Sequence, residues 1–387
     1  MDKIKVYQPE YYKKFSCSGS TCKYSCCCGW QIDIDKRTYD KYMCLDDDVK
    51  KDIIDKLKLI NDGKKVAQIL LDKTGSCQFL TESRLCSLQL KFGITYLSEV
   101  CWYYPRIFCQ VGGSFERFLD LSCEEAAKLI LLDKKYMNFE EIDLEPDPYN
   151  DDDVVKFAFH IITDNYTKAT NAIDIFWKLR VATVAILQSR QYKIRFRMLL
   201  LCLFMQEINE LFISRRESEA IICTDGYLSR LESKFYDELN SQMPNGIERD
   251  MSVTIDILKE MFNNKTQMKD YIEQAFKGFD IYFEDPVVPD GVSENCSRYY
   301  DMYFADKEYI FENYLVHRVL SEGFPFNYKN KSSLMDNYVD LLAKYNIVEF
   351  LFTGICRVNM KFDKRKIIDC ISIFTRGYEH SNRKYLL

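Results

Sequence analysis

The sequence predicts a mainly α-helical protein in two parts, a cysteine-rich metal-binding N-terminal domain with short extended segments and an all-α C-terminal domain. Cysteine placement is the first reason, since eleven of the 16 cysteines precede residue 124. Core packing alone does not explain clustered thiols in a cytosolic protein, whereas a soft metal centre requires them as ligands. The second reason is the helical spacing of apolar residues, which dominates beyond residue 153.

Length and charge narrow the class of protein. A chain of 387 residues is long enough for two domains, each with its own core. The net charge of −6 and the isoelectric point near 5.4 argue against a nucleic-acid partner and against an anionic membrane. We therefore expect neither nucleic acid nor a membrane among its partners.

The compartment decides what clustered thiols can do. The N-terminal residues 1–15 have no apolar core behind their lysines, unlike a signal peptide. The longest apolar run, 198–205, is far shorter than the roughly 20 residues that span a bilayer. We therefore expect a cytoplasmic protein. Disulfides are rare there, so a cysteine cluster indicates metal binding or catalysis.

Local patterns predict three elements in the first part. Residues 30–35 alternate apolar and polar, which is typical of a short strand. Residues 46–60 begin with acidic side chains and carry apolar ones at helical spacing, which predicts an amphipathic helix. Ser122 and Glu125 have the spacing of a capping box, which puts Cys123 at a helix start where free backbone N–H groups favour a thiolate.

An acidic stretch with two prolines, 140–153, separates the parts. We interpret it as a linker, or as a loop closing the first domain, which gives domains of 1–138 and 154–387. Apolar residues at i, i+3 and i+4 predict four helices in the second domain. These lie at 174–188, 194–214, 253–262 and 333–345. A second break rich in Pro, Gly and Asp, at 285–297, is where this domain could subdivide.

The spacing of the cysteines bears on the metal. Zinc ribbons and fingers usually show C-x2-C pairs, which are absent among the cysteines before residue 124. All three histidines (His160, His317 and His380) lie outside that region, so a site built from it alone uses thiolate, carboxylate or backbone ligands. Thiolates suit zinc or an iron–sulfur cluster, and the loose spacing favours iron–sulfur.

Not every cysteine is expected to bind metal. Four scattered cysteines are predicted to pack as small apolar side chains, and they are Cys202, Cys223, Cys356 and Cys370. For Cys44 and Cys109, ligation and packing both remain open.

Short motifs follow one another along almost the whole chain. They are YYKKF at 11–15, CSGSTC at 17–22, CCCGW at 26–30, IDKRTY at 34–39, CQFL at 77–80, LCSLQ at 85–89, CWYYPR at 101–106, LSC at 121–123, YLV at 314–316, FPF at 324–326 and FTRGYEH at 374–380. On these residues the chain resembles the flagellin lysine-N-methylase (FliB) family, and the cysteine frame with its YPR segment is the specific part. The first half of that frame is also similar to small cysteine-cluster domains described as zinc- or iron-chelating, which implies metal binding but no reaction.

The family resemblance implies methyl transfer from S-adenosylmethionine to lysine ε-amines of flagellin, with an iron–sulfur cluster, of the 4Fe–4S kind, in the enzyme. Zinc is the alternative metal. The resemblance carries the ligand role onto eight cysteines, more than one four-iron cluster requires. They are Cys17, Cys22, Cys26, Cys27, Cys77, Cys86, Cys101 and Cys123. Cys28 falls where the family has no cysteine and is left out.

Two common signatures of S-adenosylmethionine enzymes are absent from the sequence. A radical enzyme normally shows C-x3-C-x2-C, but Gly29 stands where the third cysteine would follow Cys22 and Cys26. No G-x-G-x-x-G turn follows a predicted strand. The sequence therefore does not locate the S-adenosylmethionine pocket.

Candidate reactive side chains complete the prediction. Glu379 and His380, a carboxylate beside an imidazole, are the predicted catalytic pair, with a solvated surface pair as the alternative. Three aromatic residues beside Cys101 could face a sulfonium or shield the metal, and they are Trp102, Tyr103 and Tyr104.

Three charged side chains near the cysteines each have more than one predicted role. Arg106 could neutralise the cluster, bind a carboxylate or form an ordinary ion pair. Asp33 and Asp35 could bind a lysine ammonium or form the solvated side of a strand.

We therefore predict a protein-lysine N-methyltransferase that acts on a protein substrate, with flagellin implied by the resemblance. The alternative is a non-enzymatic zinc- or iron-binding adaptor protein whose helical domain docks a partner. A third hypothesis is a redox sensor that uses Cys26, Cys27 and Cys28. It predicts reversible disulfides with little bound metal.

Overall fold

The computed structural model describes residues 5–62, 65–143, 159–161, 166–167, 169–242, 251–264, 266–283, 290–327 and 333–379. The strands among them are β1 (Lys5–Pro9), β2 (Asp33–Asp35), β3 (Leu57–Asp62), β4 (Lys65–Ile69), β5 (Arg106–Val111), β6 (Ser114–Leu119), β7 (Phe139–Asp143) and β8 (Phe159–Ile161).

Helices make up most of the described chain, as the predicted fold class requires. The first part contains α1 (Lys36–Met43), α2 (Asp47–Ile54), α3 (Ser87–Phe92), α4 (Glu99–Tyr103) and α5 (Glu124–Leu131). The second part contains α6 (Ala172–Leu187), α7 (Ile194–Ile213), α8 (Ala220–Glu232), α9 (Asp237–Gln242), α10 (Ser252–Asn264), α11 (Thr266–Gly278), α12 (Val292–Phe304), α13 (Tyr309–Glu322), α14 (Leu334–Asn359) and α15 (Lys364–Glu379).

A five-stranded mixed sheet, in the order β7-β1-β6-β5-β8, forms the centre of the first part. β1 runs parallel to β6, and β5 runs antiparallel to β6 through a hairpin. The prediction of short extended segments was therefore too modest. The presumed linker was also wrong at its start, because its first residues form the edge strand β7, which pairs antiparallel with β1. Lys5 holds this edge through Asp143 at 2.7 Å.

A smaller antiparallel sheet, β2-β4-β3, lies beside α1 and α2. It confirms the strand predicted within 30–35. The helix predicted over 46–60 was only half right, because α2 ends at Ile54 and β3 begins at Leu57. Pairing of Leu57 with Ile69 and of Leu59 with Ala67 decides this change. A helical apolar pattern cannot reveal such a partner elsewhere in the chain.

The four helices predicted in the second part are confirmed as α6, α7, α10 and α14. α14 continues fourteen residues beyond its predicted end at residue 345, to Asn359. Ser333 and Asp336 form a reciprocal capping box at its start. The all-α prediction was wrong at one place, since β8 adds to the sheet by pairing parallel with β5. The break predicted at 285–297 ends early, because α12 begins at Val292.

One apolar core joins the sheet to the helices. It runs from Tyr11 through Phe118 on β6 to Phe374 on α15. A second, smaller core lies under the three-stranded sheet. The division into 1–138 and 154–387 stays a prediction, because 144–158 lies outside the described residues. Within the described chain, no helix combines the length and the apolar character that crossing a membrane requires.

Candidate functional site

Four predicted ligands lie together at the smaller core, and we call them the inner thiols. They are Cys27, Cys77, Cys86 and Cys101. Each comes from a different segment, since Cys86 precedes α3 and Cys101 lies in α4. Charge on Cys27 raises the pKa of the other three thiols, which follows from their proximity.

Backbone hydrogen bonds bring the inner thiols together. The amide of Cys77 donates to the carbonyl of Cys27 at 2.7 Å, and the amide of Gly29 donates to Gly75 at 2.9 Å. Gly29 and Gly75 have φ of 83° and 79°, a conformation that suits glycine. Leu80 then donates back to the carbonyl of Cys77 at 2.9 Å. Two tight turns therefore aim Cys27 and Cys77 at one region.

Burial governs the protonation of these thiols. It raises the pKa of Cys77 and Cys101 to about 12. Cys27 differs, because hydrogen bonds from the Cys26 thiol and from Ser25 lower its pKa to about 7. The pKa of Cys26 rises in the same hydrogen bond. The contact between Cys26 and Cys27 thus favours the thiolate on Cys27.

Three of the four remaining predicted ligands form a second group at the start of α5, and we call them the outer thiols. They are Cys17, Cys22 and Cys123, and charges on the first two raise the pKa of the third. Charges on Cys101, an inner thiol, and on Cys17, an outer thiol, both raise the pKa of Cys26, which therefore links the two groups. Seven of the eight predicted ligands thus fall into two sets, and Cys26 interacts with a member of each.

Cys123 stands at a helix start, as predicted, where backbone amides favour its thiolate. Cys123 is the residue that precedes the first turn of α5. However, burial raises its pKa to about 11, although the backbone amides of Ala126 and Glu125 pull the value down. The capping box does not form, since the Ser122 hydroxyl contacts the Tyr104 hydroxyl at 2.9 Å instead.

The donor set fits a thiolate-ligated metal group by its chemistry. All sixteen cysteines fall in the described ranges and carry free thiols. No three cysteine, histidine or carboxylate side chains within those ranges stand at the mutual spacing of a bound metal ion. The eight-cysteine ligand set therefore stays a prediction. Soft thiol donors gathered from several segments are what zinc and iron–sulfur groups bind.

The last helix, α15, closes over the segment that carries the outer thiols. Arg376 donates to the carbonyl oxygens of Ser122 at 2.9 Å, Tyr24 at 2.6 Å and Ser25 at 3.4 Å. Because an arginine fork is planar and permanently charged, it can hold several carbonyls at fixed spacing. Arg376 therefore connects the C-terminal helix to both sides of the outer thiols.

Ion pairs strengthen the same contact. Asp369 on α15 is 3% exposed and binds Lys23 at 2.6 Å. Glu124, 2% exposed, binds Arg365 at 2.9 Å and accepts from the backbone amide of Lys23 at 3.0 Å. The residues that follow Cys22 and Cys123 are thus held from α15 by charge.

The aromatic residues beside Cys101 divide between core and site. Tyr103 is buried against Phe108, with ring centroids 6.1 Å apart, and Trp102 packs on the same cluster. Tyr104 instead lies 6.1 Å from the ring of Trp30, whose indole N–H donates to the carbonyl of Cys26 at 2.6 Å. Tyr104 and Trp30 are therefore the aromatic pair next to the thiols.

Several other candidates have structural contacts. Arg106 lies over the ring of Phe15 at 5.2 Å. Asp33 pairs with Lys65 of its own sheet at 2.6 Å. Asp35 caps α1 by accepting from the Thr38 amide at 2.8 Å and also accepts from the Glu99 amide at 3.0 Å. Both carboxylates thus have contacts within the fold, and binding of a lysine ammonium by them stays a prediction.

The predicted catalytic pair is not described as side chains. Glu379 is the last residue of α15, where only its backbone is described, and His380 lies outside the described residues. Their catalytic role stays a prediction.

The cysteines set aside earlier have contacts of their own. Cys28 contacts the Ser76 hydroxyl at 3.3 Å, and Cys109 is buried on β5. Cys44 is exposed after α1. Cys356 and Cys370 are buried in the helical core, whereas the half-buried Cys223 donates to Glu207 at 3.1 Å. Cys109, Cys356 and Cys370 therefore pack inside the core, and the partly buried Cys202 and Cys223 pack against it, as predicted for the four scattered cysteines.

The sequence did not single out the polar residues that hold the outer thiols. Arg376 stands inside the C-terminal FTRGYEH motif, which was the available signal. Lys23 adjoins Cys22, and Glu124 adjoins Cys123, so a charge beside each cysteine was a weaker one. Their partner Asp369 carries no comparable signal.

Comparison with known proteins identifies the helical part. Residues 180–386 match the model of the FliB lysine N-methylase C-terminal domain. No solved structure matches the chain.

Similar curated proteins come from Salmonella. Lysine-N-methylases of S. typhimurium (strain LT2) and S. choleraesuis (strain SC-B67) are each 34% identical over 144 residues, or 36% of this chain and 36% of the relative. The flagellar biosynthetic protein FliU of S. muenchen is 35% identical over 140 residues, 35% of this chain and 83% of the relative. The matched segment thus spans little more than a third of the length of the two lysine-N-methylases.

Proposed function

Because the chain belongs to the FliB lysine N-methylase family, we propose that it transfers methyl groups from S-adenosylmethionine to lysine side chains of a protein, with flagellin as that protein. The family match over residues 180–386, more than half of the chain, carries the proposal. Relatives named as a lysine-N-methylase and as a flagellar biosynthetic protein support the reaction and the substrate.

We propose in addition that the cysteine-rich part holds an iron–sulfur cluster of the 4Fe–4S kind. A four-iron cluster takes four cysteine ligands, and the inner thiols supply four from four segments. The outer thiols and Cys26 would then support that site or hold a second metal. Zinc is the alternative, since it binds the same thiolates. A bound cluster would supply either a rigid cross-link between segments or a one-electron centre.

The substrate lysine must be neutral to react by a polar route. A free lysine has a pKa of about 10.4, so the site must desolvate the ammonium or accept its proton. The lysine nitrogen then forms the new N–C bond with its lone pair while the C–S bond of the sulfonium breaks. S-adenosylhomocysteine leaves with that electron pair. Glu379 and His380 are our candidates for accepting the proton.

Aromatic side chains would assist both cations of this reaction. Trp30 and Tyr104 lie beside Cys26 with their rings 6.1 Å apart and tilted by 33°. The faces of such rings attract a sulfonium or a methylated ammonium. We propose this pair, rather than Trp102 and Tyr103, as an aromatic wall of the site.

The test is methyl transfer to purified flagellin by the anaerobically prepared, iron-loaded chain. Lysine-containing peptides should gain methyl-group masses only when S-adenosylmethionine is present. Omission of S-adenosylmethionine and heat-denatured chain are the controls. Binding of flagellin without any methyl gain would instead favour the adaptor alternative. Absence of methyl gain on every candidate substrate would contradict the proposal.

A further inference from the structure

The guanidinium of Arg376 lies between two segments that carry cysteines. Its Nε donates to the carbonyl of Ser122, which directly precedes Cys123. Its terminal nitrogens donate to the carbonyls of Tyr24 and Ser25, which lie between Cys22 and Cys26. These backbone groups come from positions more than 250 residues earlier in the chain. One side chain thus bonds to the backbone of two cysteine-bearing stretches.

We propose that Arg376 is a positioning residue that sets the spacing between the Cys22–Cys26 stretch and Cys123, and so controls the geometry in which these thiols bind their metal group. The metal-loading part of this inference rests on the proposed function. The thiol geometry itself does not, because it concerns only contacts within the chain.

Contacts to carbonyl oxygens distinguish Arg376 from the ion pairs around it. Lys23 and Arg365 are held through their side chains by Asp369 and Glu124, and the backbone amide of Lys23 also donates to Glu124 at 3.0 Å. Arg376 instead donates to three backbone carbonyl oxygens. A lysine would keep the charge but lose the planar fork that serves three carbonyls at once.

The packing around the Cys22–Cys26 stretch leaves Arg376 this role. The Tyr24 hydroxyl contacts the hydroxyl of Tyr271 on α11 at 3.2 Å. Arg84 donates to the carbonyl of Lys23 at 2.7 Å. The next two carbonyls, of Tyr24 and Ser25, accept from Arg376 on α15.

The variant Arg376→Lys tests the proposal in the full chain, with Arg190→Lys as the matched control. Arg190, in the turn between α6 and α7, also donates to two backbone carbonyls, those of Lys134 and Lys135, at 2.8 and 3.2 Å, and it pairs with the buried Glu312 at 2.8 Å. It lies apart from the cysteine segments in sequence, so its loss reports the general cost of removing such a fork. Both variants are compared with the wild type in thermal unfolding.

Two readouts follow the thiols directly. The first is the rate at which iodoacetamide alkylates Cys22 and Cys123 in the metal-free chain, read by peptide mass, with exposed Cys44 as internal reference. Since hydrogen bonds from a charged donor are strong, we expect roughly tenfold or faster alkylation in Arg376→Lys and an unchanged rate in Arg190→Lys. The second is iron bound per chain, with the visible spectrum, after anaerobic reconstitution. Iron content and visible absorbance should both fall in Arg376→Lys and stay unchanged in Arg190→Lys.

Alkylation rates and iron content equal to those of Arg190→Lys would overturn the proposal. If Arg376→Lys does not fold, hydrogen exchange of the wild type decides. The positioning role of Arg376 is supported if the amides of 22–28 and 122–124 exchange together with those of 370–376. Cysteine segments that open while 370–376 stays protected refute it.

Failure of this inference can be told from failure of the proposed function. Wild type that methylates no protein while Arg376→Lys still exposes its thiols contradicts only the proposed function. Wild type that methylates flagellin while Arg376→Lys keeps wild-type alkylation rates and iron content contradicts only the role of Arg376.

Discussion

Glu116 on β6 and Arg180 on α6 form an ion pair in which both side chains are almost fully buried. Nη1 of Arg180 lies 2.8 Å from each carboxylate oxygen of Glu116. The Arg180 side chain is 4% exposed and that of Glu116 is 6% exposed. Nε of Arg180 also donates to the carbonyl of Phe324 at 2.6 Å. Arg180 is the first residue of the matched C-terminal domain, so this pair ties that domain to the central sheet.

Replacing Glu116 by Gln should strongly destabilise the fold. The substitution leaves the Arg180 charge buried without a carboxylate, which typically costs about 3–5 kcal/mol in the free energy of unfolding. Urea unfolding measures the change. Glu219→Gln is the matched control, because its partner Arg216 is exposed and its removal should have no measurable effect. Equal midpoints for the two variants would contradict the structural role of the pair.

His317 should make the fold sensitive to acid. It is fully buried, its Nε2–H donates to the carbonyl of Leu119 at 2.7 Å, and burial lowers its pKa from 6.5 to about 4. Because the folded state resists protonation, its contribution to stability is present above the unfolded pKa and is lost as pH falls from 6.5 toward 4. The expected loss is about 2–3 kcal/mol.

The variant His317→Gln isolates this effect. Glutamine keeps an N–H donor for Leu119 but does not titrate. Unfolding in urea near pH 6.5 and near pH 4 should therefore show a smaller difference in the variant than in the wild type. The same pH dependence in both proteins would refute the assignment to His317.

Gly354 permits the close crossing of α14 and α11. A Cβ at this position would stand 2.5 Å from the carbonyl oxygen of Ala275 and 2.7 Å from its Cα. We expect Gly354→Ala to destabilise the fold by about 1–3 kcal/mol or more, because backbone atoms cannot move aside as a side chain can. Gly226→Ala on α8 meets nothing within 4 Å and should be neutral or stabilising. Thermal unfolding compares the pair, and equal melting temperatures would contradict the crossing.

The inner thiols should bear the metal. Cys101→Ser removes one of four thiols that lie together, so the iron retained after anaerobic reconstitution should fall well below that of the wild type. Cys223→Ser is the control, because this thiol contacts Glu207 on the helical part and should leave iron unchanged. Iron and sulfide analysis with a visible spectrum gives the readout. Wild-type iron in Cys101→Ser would remove Cys101 from the ligand set.

Sequence patterns predicted the long helices well, because burial of an apolar stripe repeats every three to four residues. α6 and α7 therefore begin and end close to their predicted limits. Strand pairing depends on partners far apart in sequence, which no local pattern reveals. The β5–β6 hairpin and the edge strand β7 were consequently missed, and β3 was taken for helix.

The candidate site divides in the same way. Motifs indicated the cysteines, and the structure brings Cys27, Cys77, Cys86 and Cys101 into one region, where their role as ligands stays a prediction. The contacts of Arg376 with Tyr24 and Ser25 join opposite ends of the chain, so spacing could not predict them.

We propose that this chain methylates lysine through a reaction that depends on its thiol site. The most direct measurement is transfer of an isotopically labelled methyl group from S-adenosylmethionine to flagellin lysines, made in parallel with wild type, Cys101→Ser and Cys223→Ser. We expect labelled lysine with wild type and Cys223→Ser, and a loss of both iron and labelling with Cys101→Ser. Absence of label with the iron-loaded wild type, or full labelling by iron-free Cys101→Ser, would contradict the account.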